Sequence, residues 1–108
     1  MERRVLIVED DPLMAEAAAD YFGGKGWLAE TAGNGAEALE RFGQKRFHLI
    51  LLDVMMPEMN GFSVCRRIRK ESDVPVIFIT ARVMEEDQLN GYSAGADDYV
   101  VKPFSLPV

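Results

Sequence analysis

The sequence has 108 residues, of which 48% are hydrophobic and 28% charged, and its formal net charge is −6. This length predicts one domain with a single core, and an acidic chain without a basic stripe argues against a nucleic-acid-binding surface. The single cysteine, Cys65, excludes an internal disulfide and a cysteine-rich zinc site. No run approaches the ~20 apolar residues of a membrane span, and no signal peptide is evident. We therefore expect a cytoplasmic protein that does not contact a membrane.

The chain begins with a short apolar run at 4–8, which is typical of a buried strand. Asp11 and Pro12 then suit the N-cap and first position of a helix. This helix is predicted to end at a glycine cluster and to bury one stripe of side chains. The cluster is Gly23, Gly24 and Gly26, and the stripe is Met14, Ala17, Ala18, Tyr21 and Phe22.

A weak strand at 27–31 precedes the second predicted helix. Asn34, with Glu37 three residues later, resembles a capping box that opens this helix. The pattern predicts that the helix packs through Ala38, Leu39 and Phe42.

The central strand is predicted from four consecutive apolar residues, 49–52, that end in Asp53. A run without alternation is typical of a strand buried on both faces of a parallel sheet. Pro57, Asn60 and Gly61 interrupt the chain before a third helix. That helix has one apolar face, formed by Phe62, Cys65 and Ile68.

The last third of the chain contains another buried strand, 74–80, that ends in the hydroxyl of Thr80. A polar fourth helix is predicted at 84–94, followed by a short strand at 99–101 and then Lys102.

Strands and helices alternate from end to end, which predicts an α/β fold with helices on both faces of a parallel sheet. A flavodoxin-like (βα)5 doubly wound sheet with strand order 2-1-3-4-5 fits five strands best. Ser105 and Pro107 look like the start of a fifth helix. We therefore expect residues 1–108 to be one domain that ends before or at the start of that helix.

In this topology the carboxyl ends of the first and third strands are neighbours, so Glu9, Asp10 and Asp53 are predicted to converge. Crowded carboxylates repel one another unless a cation neutralises them, and Mg²⁺ prefers oxygen ligands. Lys102 and Thr80 leave two further strands at the same edge. The set predicts a site for a metal-bridged tetrahedral anion, in which a carboxylate could attack phosphorus.

Four separated motifs resemble those of receiver domains in the two-component response-regulator family. They are VEDDP at 8–12, LLDVMMPEMNG at 51–61, ITA at 79–81 and GADDYVVKPF at 95–104. They occur in the family's order and span the whole chain.

The resemblance implies that Asp53 accepts a phosphoryl group from the phosphohistidine of a sensor histidine kinase, in a reaction that requires Mg²⁺ or Mn²⁺. It implies that Asp10 and Asp53 bind the metal directly, Glu9 mainly through water, and Met55 through its backbone carbonyl. The domain would then be a signalling phosphoacceptor that catalyses only its own phosphorylation and dephosphorylation.

The resemblance also assigns the phosphate contacts and the switch. Thr80, the amide of Ala81 and Lys102 would contact the phosphate, and Tyr99 would be the aromatic switch residue. The responsive face would be 80–104, through which the protein would self-associate. An apolar sheet surface exposed by the absent fifth helix is a second route to self-association.

The GADDY sequence is similar to that of receivers attached to winged-helix DNA-binding domains. It implies a bacterial transcription regulator that reaches DNA only through an effector domain absent from this chain.

Three alternatives stay open. Metal-dependent phosphatases with an aspartyl nucleophile usually carry a second acid two residues later, where this chain has Met55. A flavodoxin would have a phosphate loop rich in Ser, Thr and Gly, where this chain has EDDP at 9–12. A receiver that only binds partners, with a silent pocket, is the third.

Overall fold

The computed structural model describes residues 2–54, 56, 60–80 and 98–101. Strands and helices alternate from the first described strand to the fourth, and a fifth strand is described after them. They are β1 (Arg3–Val8), α1 (Pro12–Gly24), β2 (Trp27–Ala32), α2 (Gly35–Gln44), β3 (Leu49–Asp53), α3 (Gly61–Arg69), β4 (Val76–Thr80) and β5 (Asp98–Val101).

The five strands form one parallel sheet in the order β2-β1-β3-β4-β5, as the sequence predicts. The order reverses between β1 and β3, and this reversal is where doubly wound sheets place a ligand crevice. The predicted fourth helix at 84–94, and the residues that would begin a fifth, lie outside the described residues. None of the described helices is both long and apolar enough to cross a membrane.

The sheet has an apolar cluster on each face because successive strand residues point to opposite sides. On one face, Val5 and Ile7 pack with alanines of α1. On the other, Leu6 and Val8 pack beneath α2 and α3, in a cluster that includes Cys65. The prediction that Cys65 is a core residue is confirmed, since its side chain is fully buried.

Three of the described helices begin at a side-chain cap, and the caps at Asp11 and Asn34 are the two that the sequence predicts. Asp11 accepts from the amide of Leu13 at 3.0 Å. Asn34 accepts from the amide of Glu37 at 2.8 Å, and the Glu37 carboxylate accepts from the amide of Gly33, one residue before the cap. The third cap, Asn60, accepts from the amide of Ser63 at 2.9 Å.

The structure corrects two details of the sequence-based prediction. The buried residues of α1 are Ala15 and Ala18, whereas Ala17 is exposed. Because α1 is rich in alanine, its sequence is compatible with more than one buried face. Packing against the sheet determines which face is buried. The fourth strand begins at Val76 rather than Val74, although Val74 is buried in the preceding loop.

Replacing Asn34 by Ala removes the side-chain acceptor at the start of α2. We predict that the free energy of unfolding falls by about 1 kcal/mol, a typical cost of losing an N-cap. Urea denaturation measures the change. Glu40→Ala, at an exposed position of the same helix, is the control and should stay within about 0.5 kcal/mol of the parent. Equal losses in the two variants would contradict the cap's role.

Candidate phosphoacceptor and metal site

Three acidic side chains meet at the carboxyl edge of the sheet. Glu9 and Asp10 follow β1, and Asp53 is the last residue of β3. Val8 pairs with Leu52 in the parallel register, so the residues that follow these two also become neighbours. The predicted convergence is confirmed: one carboxylate oxygen from each acid lies within 4.8 Å of the others.

Two of these acids are buried, which is unusual for charged side chains. Glu9 is 3% exposed and Asp53 is 2% exposed, whereas Asp10 is exposed to solvent. Burial strengthens electrostatic interactions because it removes water from around the charges. Repulsion among these groups is on the order of a few kcal/mol unless a cation offsets it.

Backbone hydrogen bonds fix the position of Glu9. Its Oε2 accepts from the amide of Asp11 at 3.0 Å, and its own amide donates to the carbonyl of Ala32 at 3.0 Å. The acid is therefore held between the start of α1 and the end of β2. The sequence predicts the side chain of Asp11 as a helix cap. It does not predict that the backbone amide of Asp11 binds the carboxylate of Glu9.

The backbone that follows Asp53 is held on two sides. The amide of Val54 donates to the carbonyl of Ile79 at 2.9 Å, and the amide of Gly61 donates to the carbonyl of Val54 at 3.0 Å. A Cβ at Gly61 would lie 3.0 Å from Val54 Cα and would overlap the carbonyl oxygen of Asp53. Gly61 therefore lets the start of α3 pack directly on the end of β3.

The donor set suits a hard divalent cation. Three carboxylates on two adjacent strands offer only oxygen ligands, which Mg²⁺ prefers. The carboxylates of Glu9 and Asp53 are buried, and the exposed Asp10 leaves the cluster open to water and to a further oxygen ligand. This acidic cluster fits Mg²⁺ binding.

Two other predicted site residues have a described backbone. Thr80 ends β4, next to the strand that carries Asp53, since Asp53 pairs with Ile79. Tyr99 lies in β5 and pairs with Phe78 of β4. Met55, Ala81 and Lys102 lie outside the described residues, so their predicted roles stay predictions.

Gly61 has a larger role at this site than the sequence alone predicts, because it allows α3 to pack on the end of β3. The sequence identifies it as a residue that interrupts the chain before the third helix and as the last residue of the motif at 51–61. No local sequence pattern predicts that Gly61 contacts the backbone of Asp53, eight positions earlier. The contact depends on how α3 packs against the sheet.

Comparison with known proteins agrees with this geometry. The sequence model of the family described as the response regulator receiver domain matches residues 5–108 of this chain. The chain is 43% identical over 104 residues to the DNA-binding response regulator MtrA of Mycolicibacterium smegmatis, covering 96% of this chain and 46% of that protein. It is 42% identical over 102 residues to the uncharacterized transcriptional regulatory protein YclJ of Bacillus subtilis, covering 94% of this chain and 45% of that protein. The chain thus spans about half the length of these relatives.

Solved structures share the fold. The chemotaxis protein CheY4 of Vibrio cholerae aligns with a TM-score of 0.93 and 31% identity, covering 97% of this chain and 90% of that one. The response regulator TrrA of Thermotoga maritima, solved in complex with Mg²⁺-BeF, aligns with a TM-score of 0.84 and 36% identity, covering 94% of this chain and 88% of that one.

Gly61→Ala should destabilise the protein by about 1–3 kcal/mol, because its methyl group overpacks against the carbonyl of Asp53. Chemical denaturation measures the loss, and the amide resonances of 53 and 54 should shift. Gly43→Ala is the matched control, since its Cβ would meet nothing within 4 Å. In a helix that substitution should stabilise by up to ~1 kcal/mol. A neutral Gly61→Ala variant would contradict the close packing described above.

Mg²⁺ should raise the melting temperature, because it binds the folded acid cluster and offsets its repulsion. Asp10→Asn should weaken Mg²⁺ binding about tenfold or more, a loss of the size seen when metal sites are perturbed. A Mg²⁺ titration followed by thermal unfolding gives the apparent affinity. Asp20→Asn, an exposed acid on α1, should leave it unchanged; equal effects of the two variants would mean that the ion binds elsewhere.

Proposed function

The chain belongs to the family of response regulator receiver domains, and we propose that Asp53 is its phosphoacceptor. The observation that carries this proposal is the burial of Asp53 at the end of β3, with Glu9 and Asp10 beside it. Among the three acids, Asp53 lies on the central strand, between the strands that carry the other acids and Thr80.

The proposed reaction transfers a phosphoryl group from the phosphohistidine of a sensor histidine kinase. A carboxylate oxygen of Asp53 forms a bond to phosphorus as the P–N bond to the imidazole breaks, and the imidazole leaves with the electron pair of that bond. The product is an aspartyl phosphate. A bound Mg²⁺ would supply charge stabilisation for the phosphoryl oxygens.

The proposed metal ligands are carboxylates of Asp10 and Asp53 and the backbone carbonyl of Met55, with Glu9 acting mainly through water. One carboxylate oxygen of Glu9 already accepts a hydrogen bond from the amide of Asp11. This contact favours binding of the metal through water over direct coordination by Glu9. Mn²⁺ is proposed as an alternative to Mg²⁺ because it also accepts an all-oxygen ligand set.

The phosphate contacts and the switch are proposed from the family motifs. Thr80, the amide of Ala81 and Lys102 would contact the phosphoryl oxygens, and Tyr99 would respond to movement of Thr80. The position of Thr80 at the end of the neighbouring strand supports this assignment. Phosphorylation would shift the 80–104 face between two states through its different contacts with each.

We propose that the protein acts in the bacterial cytoplasm and catalyses only its own phosphorylation and dephosphorylation. Its direct partners would be a sensor kinase and a second copy of itself, bound through the 80–104 face or an exposed sheet surface. The similarity to MtrA, which is named a DNA-binding response regulator, supports a transcription-controlling output domain in the complete protein.

Incubation with acetyl phosphate and Mg²⁺ should add one phosphoryl group per chain, because a single carboxylate is positioned as the acceptor. Intact-mass spectrometry measures the addition. Asp53→Asn should abolish it, and omission of Mg²⁺ or addition of EDTA should greatly reduce it.

Asp20→Asn controls for the loss of an acid and should be labelled like the parent. Labelling of Asp53→Asn to the same extent would disprove the assignment. Continuous turnover of a phosphomonoester, rather than stoichiometric labelling, would instead favour an aspartyl phosphatase.

A further inference from the structure

A cavity of about 390 Å³, open to solvent on one side, lies at the edge of the sheet opposite the acid site. Its walls are the loop that leads from α2 into β3 and the loop that leads from α3 into β4. These loops precede the amino ends of the two strands, whereas Asp53 and Thr80 are at their carboxyl ends. The lining residues are Phe42, Lys45, Arg46, Phe47, His48, Ser72, Asp73, Val74 and Pro75.

The first wall is anchored to β1. The amide of His48 donates to the carbonyl of Arg4 at 2.8 Å, and the amide of Arg4 donates back to His48 Nδ1 at 3.1 Å. The Arg4 guanidinium also donates to the carbonyl of Arg46 at 3.4 Å. The Nδ1 atom of His48 is therefore used as an acceptor, which leaves Nε2 as the donor atom of the ring.

The second wall is anchored by α3 and β3. The Arg69 guanidinium donates to the carbonyls of Ser72 and Val74, at 3.2 and 2.6 Å. The amide of Val74 donates to Ser72 Oγ at 3.0 Å, and the amide of Ile50 donates to the carbonyl of Pro75 at 2.9 Å. Both loops are thus fixed before any ligand arrives, which lowers the entropic cost of binding.

The apolar part of the cavity lining includes a pair of stacked aromatic rings. The rings of Phe42 and Phe47 are stacked, with an interplanar angle of 15° and centroids 6.4 Å apart. Val74 and Pro75 complete the apolar part of the lining. Apolar walls with a few fixed polar groups, in a volume of this size, are typical of small-molecule sites.

The polar lining carries an excess of positive charge. Lys45 and Arg46 outnumber the single acid, Asp73, in a chain whose net charge is −6. Lys45 Nζ lies 2.9 Å from Glu30, but that carboxylate also contacts the guanidinium groups of Arg4 and Arg41. One acid shared among three cations leaves Lys45 only partly neutralised.

We propose that this cavity binds small organic anions with a flat apolar body, such as aromatic carboxylates. The ring would contact Phe42 and Pro75, which are the more accessible apolar lining residues, and the carboxylate would lie at the rim near Lys45 and Arg46. The site is independent of Mg²⁺ and of Asp53, since it is formed by the opposite ends of the same strands.

The probe is 1-naphthoate, titrated into the isotopically labelled 108-residue chain without Mg²⁺ and followed by amide NMR shifts. The shifts should be confined to 42–48 and 72–74. A dissociation constant on the order of 1 mM is expected from the binding energy per atom typical of such ligands. The neutral analogue 1-naphthalenemethanol should bind about two- to fivefold more weakly.

Arg46→Gln tests the charge at the rim and should weaken 1-naphthoate binding about two- to fivefold. Its side chain is exposed, so the fold should be unaffected. Arg66→Gln, an exposed arginine of α3 outside the cavity, makes the same charge change and should bind like the parent. Asp53→Asn should also bind like the parent.

Shifts in other parts of the chain, or none at concentrations of several millimolar, would overturn the site. Equal binding of the neutral analogue, or equal losses in Arg46→Gln and Arg66→Gln, would overturn the preference for an anion. A loss of binding in Asp53→Asn would overturn the independence of the two sites.

Discussion

The constraint on which the site depends is the convergence of parallel strands. In a parallel sheet every strand presents its carboxyl end at the same edge, so the residue that follows each strand meets its neighbours there. Here that geometry brings two buried carboxylates and one exposed carboxylate together. Their mutual repulsion makes a divalent cation favourable at this edge of the sheet.

The same edge is held in place by backbone contacts rather than by side chains alone. Glu9 is fixed by the amide of Asp11, and the chain after Asp53 is fixed by Ile79 and Gly61. Each contact joins a loop to a strand end. A carboxylate that is held in this way loses little conformational freedom when it binds a metal or forms a covalent bond.

The two edges of the sheet differ in chemistry because they are formed by different ends of the same strands. The carboxyl edge is acidic and suits a metal with a phosphate. The amino edge, with Lys45, Arg46 and the phenylalanine pair, has a positive excess and an apolar interior. An acidic chain can therefore offer sites for ligands of opposite charge, because the charges are separated by the length of β3 and β4.

The sequence by itself determined the order of the strands, the caps at Asp11 and Asn34 and the meeting of Glu9, Asp10 and Asp53, because each follows from local residue patterns and from the direction of parallel strands. Only the tertiary structure decided which alanines of α1 are buried, how closely Gly61 approaches Asp53, and that two distant loops line one open cavity. These features depend on how the helices and loops pack on the sheet. A single added methyl group, as at Gly61, is enough to disturb that packing. Such packing is set by contacts between segments far apart in the chain, on which no local pattern of residues reports.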